Sequence, residues 1–134
     1  MRFVDTNIFL RFLANDDPKK ADACELLFRK AIEGEEQLFT TGMVIAEIVW
    51  VLESYYQLDK CAIRKSVEKI LNTPNLHCPQ RDIILYAIIT YEEKNIDFID
   101  AYNAYQMKSR GISELYSYDT HFDRLGWVER IEPR

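Results

Sequence analysis

The run Arg2-Phe3-Val4-Asp5-Thr6-Asn7-Ile8-Phe9-Leu10-Arg11-Phe12-Leu13 decides the fold class. Arg2-Phe3-Val4 reads as a short strand, Asp5-Thr6-Asn7 supplies three N-cap formers, and Ile8 onward continues as an apolar helix. A strand that runs directly into a helix is the opening move of an α/β chain.

The alternation continues outward from there. Asn15-Asp16-Asp17-Pro18 breaks the first helix and caps a second, in which Ala21, Cys24, Leu27, Phe28, Ala31 and Ile32 recur at helical spacing up to Gly34. Residues 37–40 read as a second strand, and Thr41-Gly42 starts a helix to about Tyr56. A fourth helix over 59–71 carries Ile63, Val67, Ile70 and Leu71 on one stripe. Residues 76–78 form a brief third strand, followed by an apolar helix over 82–93. Residues 97–100 open a helix over 101–110, which Gly111 ends as a C′ glycine. A fourth strand (114–118), a short helical turn (119–124) and a last strand (128–131) complete the chain. Strands alternating with helices predict an α/β fold, a three-layer α/β/α sandwich with a mainly parallel sheet of about five strands. The 134 residues suffice for a single domain over 1–134.

Composition narrows the function classes. Hydrophobic residues make up 48% and charged ones 29%, as in a soluble globular protein, and only four Gly and four Pro argue against a disordered linker. No apolar run is long enough to span a membrane, and no signal segment precedes the first strand. Cys24, Cys61 and Cys78 are odd in number and far apart, which argues against a disulfide framework or zinc knuckle and fits a reducing cytoplasm. The net charge of −5 has the wrong sign for binding nucleic acid by basicity alone. Carboxylates that hold divalent cations, however, change the field a phosphate meets.

Four acids, Asp5, Glu47, Asp100 and Asp119, stand where strands end or helices begin, a layout that suggests one metal-binding site drawn from distant segments. In an open parallel sheet, ligands bind outside the carboxyl ends of the strands, and Asp5 and Asp119 directly follow strands. The bland alternative is that each only caps a helix. Glu47 has Met43, Val44, Trp50 and Val51 as its helical neighbours. A glutamate in apolar company must be paired with a cation, hydrogen-bonded or exposed at the sheet edge.

Asp100 has Asp97 one turn before it and Asn103 one turn after it. Spacing does not choose between Asp97 and Asp100 as the ligand, and Asn103 reads as a water-holding group. Asp123 is a fifth candidate that could equally pair with Arg124 or Lys108. His77 and His121 are not at metal-ligand spacing and are expected to pack or cap. The Tyr and Phe side chains read mostly as core and interface material. Arg11, one turn beyond Asn7, is expected to be a solvated helix residue with substrate contact as the alternative reading.

With these residues in place the chain resembles PIN domains, and within them the VapC-type ribonuclease toxins of toxin–antitoxin pairs. The resemblance spans essentially the whole length. It rests on Val4-Asp5-Thr6-Asn7, the helix start from Thr41 to Glu47, Phe98-Ile99-Asp100-Ala101, and Ser117-Tyr118-Asp119-Thr120-His121-Phe122. It implies that Asp5, Glu47, Asp100 and Asp119 bind one or two Mg²⁺ or Mn²⁺ ions, with the Ser117 hydroxyl in support; beside it, the residues themselves offer Asn7 and Asn103 as supporting groups and Asp123, one turn after Asp119, as a further candidate ligand. Asp100 rather than Asp97 matches the family position, because it immediately precedes Ala101. The implied activity is metal-dependent endonucleolytic cleavage of RNA, and the implied partners are an antitoxin protein and a second copy of the chain. The apolar helix over 82–93 and the Tyr55-Tyr56 region are candidate dimer surfaces.

The residues agree with that chemistry on their own terms, since hard divalent cations select carboxylate oxygens. No Ser–His–Asp arrangement is evident. A receiver-like, Mg²⁺-binding phosphoacceptor domain is the leading alternative, but it would need an acidic neighbour for Asp5 and an Asp at the end of the third strand, where Cys78-Pro79 stands. A haloacid-dehalogenase-type phosphatase would need Asp where the chain has Asn7. A non-catalytic interaction module on the same fold is opposed by acids at all four positions.

Overall fold

The first strand is β1 (Arg2–Phe3), and the helix it feeds is α1 (Thr6–Ala14). The structure is a computed structural model that describes residues 1–14 and 16–134. Asn15, where the first helix was expected to break, lies outside the described residues. The chain forms two compact units, Met1–Arg81 and Asp82–Arg134.

In the first unit β1 and α1 are followed by α2 (Pro18–Ile32), β2 (Leu38–Phe39), α3 (Gly42–Ser54), α4 (Lys60–Leu71) and β3 (Leu76–His77). The strands form a parallel sheet in the order β1-β2-β3, with Arg2 opposite Leu38 and Leu38 opposite Leu76. Pairing continues past the two-residue strands, because Val4 N–H donates to Phe39 C=O (2.8 Å) and Thr40 N–H to His77 C=O (2.9 Å). The buried Thr40 hydroxyl also donates to Val4 C=O at 3.1 Å. These bonds fix the backbone immediately before Asp5.

The helices start where the capping residues predict. Asp17 accepts from Lys20 N–H with Pro18 in the first turn, and Asp59 accepts from Ala62 N–H. Gly34 follows α2 at φ +83°, a conformation that costs side-chain-bearing residues about 1–2 kcal/mol. Phe9 and Phe28 stack 5.4 Å apart in a core that includes Leu38, Ile45, Ile48, Leu52, Ile63 and Val67.

The second unit holds α5 (Arg81–Glu93), which begins at the last residue of the first, then α6 (Phe98–Ser109), β4 (Glu114–Tyr116), a 3-10 turn at Thr120–Arg124 and β5 (Glu129–Ile131). β4 and β5 pair in parallel, with Tyr116 opposite Ile131. Ser117 N–H extends the ladder to Ile131 C=O at 3.1 Å. Gly111 sits at φ +70° just past α6, and Ile112 N–H closes back onto Met107 C=O at 2.9 Å, satisfying an end carbonyl. Ile84, Ile88, Tyr91, Phe98, Ala101 and Leu125 are buried.

The α/β class, the five strands among the described residues and their parallel sense agree with the sequence. The strands are shorter than expected, and their pairing is divided between a three-stranded and a two-stranded sheet. The physical reason is local: cap-forming residues such as Asp5, Thr41 and Asp119 draw the chain into helical turns within a few residues of each strand. No helix among the described residues is long and apolar enough to cross a membrane.

Candidate active site

In the first unit, Asp5 follows β1 and its Oδ1 accepts the Thr6 N–H at 2.8 Å, at the start of α1. It therefore does part of a cap's work, which occupies one of the two oxygens a carboxylate has. Asn7 and Glu47 come together in one groove of about 380 Å³ between α1 and α3. Arg11, Asp16, Tyr55 and Tyr56 line the same groove.

Glu47 itself is exposed, and so are two of its apolar neighbours, Met43 at 82% and Trp50 at 69%. This decides among the three options that its apolar company left open. α3 is apolar on its outer face as well as its inner one, so apolar company at three and four residues does not entail burial, and exposure is the option that holds.

Arg11 is not simply solvated. Its Nη1 lies 3.2 Å from Asp16 Oδ1, and Asp16 Oδ2 accepts from the Tyr56 hydroxyl at 2.8 Å. The Tyr56 hydrogen bond, aided by the Arg11 charge, holds the Asp16 carboxyl below its ordinary value. The same bond raises the Tyr56 phenol.

In the second unit the structure brings Asp100 and Asp119 together. Asp100 stands in the first turn of α6, and Asp119 caps the 3-10 turn by accepting His121 N–H at 2.9 Å. Burial, then the charges of Asp97 and Asp119 and a hydrogen bond with Asp119, push the Asp100 carboxyl above its ordinary value, and His121 partly offsets this. The His121 Nδ1 lies 3.3 Å from Asp119 Oδ1. The Ser117 hydroxyl accepts Asp119 N–H at 3.0 Å, which fixes the backbone that carries the carboxylate.

Asp97 occupies the N-cap of α6 without a side-chain cap bond, close enough to Asp100 for its charge to be felt. Asn103 is exposed on the same helix. Asp123 pairs with neither Arg124 nor Lys108. Its carboxylate is held by Arg130, at 3.0 Å from Nε, because parallel pairing of β4 with β5 brings Arg130 back toward the 3-10 turn. Arg130 also donates to the Ser117 carbonyl at 3.2 Å, so one guanidinium braces both ends of the Ser117–Asp123 segment.

Sequence reasoning missed Tyr56, Asp16 and Arg130. No spacing rule links Tyr56 to Asp16 across forty residues. His121, expected to pack or cap, was the more legible case, since it lies two residues after Asp119.

The donor set fits a hard divalent cation. Mg²⁺ is commonly held by one or two carboxylates, with waters and substrate phosphates completing its shell. Asp100 and Asp119 are such a pair, and their mutual repulsion is what a cation would relieve. Among the described residues, no three or more His, Cys, Asp or Glu side chains stand together as a metal-holding group.

Comparison with known proteins places the chain in a family. Over 127 residues the chain is 31% identical to the VapC ribonuclease of Aquifex aeolicus (strain VF5), covering 95% of this chain and 93% of that protein. Among solved structures, the Mycobacterium tuberculosis toxin VapC20, described as cleaving the sarcin-ricin loop, matches 99% of this chain and 100% of its own at 21% identity and a TM-score of 0.42. The model of the PIN domain matches residues 2–128, and the chain belongs to the PIN-domain family.

Proposed function

We propose that the chain is a Mg²⁺- or Mn²⁺-dependent endoribonuclease, acting as the toxin of a toxin–antitoxin pair in the cytoplasm. The observation that carries this reading is the Asp100–Asp119 pair, two carboxylates held together at the cost of a raised Asp100 pKa. Such an arrangement is common where charge is stored for chemistry. The likeness to a protein named as a ribonuclease over nearly its whole length supports the same conclusion. The proposed ligand set is Asp5, Glu47, Asp100 and Asp119, within a single domain that the family match spans from residue 2 to residue 128.

When bound, the cation supplies a water of lowered pKa and stabilises charge on the phosphoryl oxygens. The chain's own residues orient and hold. Ser117 and His121 fix Asp119, Thr6 N–H fixes Asp5, and Asn7 presents an amide to the groove that Glu47 enters. The proposed partners are RNA, an antitoxin protein and a second copy of the chain.

The test is cleavage of single-stranded RNA by the purified protein in Mg²⁺ and in EDTA, alongside Asp5→Asn and Asp100→Asn. The parent should cut only with the metal. Each variant should lose more than the roughly 10–100-fold that removing a ligand's supporting partner costs. If both variants cut as well as the parent, the acidic site plays no part in cleavage.

A further inference from the structure

We infer that the groove between α1 and α3 is a subsite for one nucleotide of single-stranded RNA, its base stacked on Tyr55 and its phosphate held by Arg11. The inference rests on the ribonuclease reading above and adds where the strand is gripped. Asn7 and Arg11 are one turn apart on α1, while Glu47 and Val51 lie one turn apart on α3, with Tyr55 one turn further at its end. The groove is thus walled by two helical strips.

Tyr55 is 76% exposed, yet its ring is not loose. It meets Tyr56 edge-on at 4.9 Å and 82°, Tyr56 donates to Asp16 at 2.8 Å, and Asp16 pairs with Arg11 at 3.2 Å. An outward-facing ring braced by a second, anchored ring is a stacking platform that has already met its ordering cost. Stacking on such a ring tolerates any base, because every base has a π-face.

The same chain of contacts orients the guanidinium. Arg11 carries five N–H donors in a fixed fork, its bond to Asp16 uses only part of them, and its side chain is 39% exposed. Glu47, two turns before Tyr55 on α3, also lines the groove and is a proposed cation ligand. With its charge met by a cation, the groove presents the Arg11 guanidinium beside the Tyr55–Tyr56 pair. That pattern complements a nucleotide better than it complements an apolar protein segment, and about 380 Å³ lies within the roughly 300–1,000 Å³ range of pockets that enclose small ligands.

The experiment is equilibrium binding of a fluorescently labelled single-stranded 12-nucleotide RNA in Mg²⁺, in the Asp100→Asn background that blocks turnover, over a series of salt concentrations. Adding Tyr55→Ala should weaken binding roughly five- to a hundredfold, while Tyr55→Phe, which keeps the ring, should bind like the background protein. Adding Arg11→Gln should make the slope of log affinity against log salt shallower by about 0.7, the signature of one lost phosphate contact on a single strand. A merely structural role of Arg11 would leave the salt slope unchanged.

A parent that cleaves RNA, with an affinity indifferent to Tyr55→Ala and Arg11→Gln, overturns the subsite and leaves the nuclease reading standing. A parent that cleaves nothing but binds RNA through Tyr55 does the reverse. A parent that binds no RNA overturns both. If Tyr55→Ala changes the oligomeric state while RNA affinity holds, the tyrosine pair is a self-association surface and the subsite is overturned.

Discussion

Asp100→Asn should make the protein more stable while it disables the proposed chemistry. The substitution keeps the size and hydrogen-bonding reach of the side chain and removes one of two adjacent negative charges. Unit charges about 4 Å apart repel by about 1 kcal/mol at the dielectric of water and about 4 kcal/mol at an effective value of 20. The side chain of Asp119 is 41% exposed, so solvent screens the pair and the lower figure governs. A gain of about 1 kcal/mol raises the midpoint of a chain this long by roughly 3–5 °C.

The sign follows from proton linkage. Asp100 keeps its proton to higher pH in the folded chain than in the unfolded one, so folding binds protons between the two values. The stability tied to that proton is complete below the unfolded carboxyl's titration and is lost as pH rises through the raised one. The variant's advantage should therefore be full above the titration of the raised carboxyl and vanish on acidification below the ordinary aspartate range. Thermal unfolding by circular dichroism in EDTA and low salt measures it. Adding Mg²⁺ should raise the parent's midpoint and leave the variant's much less changed, since only a ligand that binds the native state stabilises it. A variant that melts at or below the parent at pH 7 in EDTA would refute the reasoning, showing that the Asp100 carboxylate supports the fold rather than burdening it.

Two further outcomes follow from groups outside that pair. Burial raises the Cys78 thiol to about 11 and also raises Cys24, while Cys61 is exposed, so titration with a chromogenic disulfide at pH 8 should show one fast thiol, abolished by Cys61→Ser. Only about a thousandth of Cys78 is thiolate at that pH, and three equal rates would contradict the burial argument. Tyr56→Phe removes the hydrogen bond that most depresses Asp16, so the Asp16 carboxyl should titrate at higher pH in carbon-detected NMR, and an unmoved Asp16 would mean that Arg11 alone sets it.

The alternation of strands and helices was legible because its signals are local. Asp17, Asp59 and Asp119 cap as their positions predict, and Gly34 and Gly111 take the left-handed conformation that ends helices. The acids were legible for the same reason, since each stands at the end of a strand or near the start of a helix. The exposure of Glu47 was left open because helical spacing identifies neighbours without saying which of them face water. The Tyr56–Asp16–Arg11 chain and the Arg130 brace stayed hidden because they join residues through tertiary packing and strand pairing, for which one sequence carries no periodic signal.

The shortness of the first sheet has a kinetic consequence. Its clamp joins Val4 to Thr40, thirty-six residues apart, and no hairpin brings them together. The helices can form from near-neighbour contacts, whereas parallel pairing must wait for long loops to close, a cost that grows with the logarithm of loop length. Asp5 directly follows that late-forming ladder. A refolding chain should regain its helical signal first and the ladder that carries Asp5 afterwards.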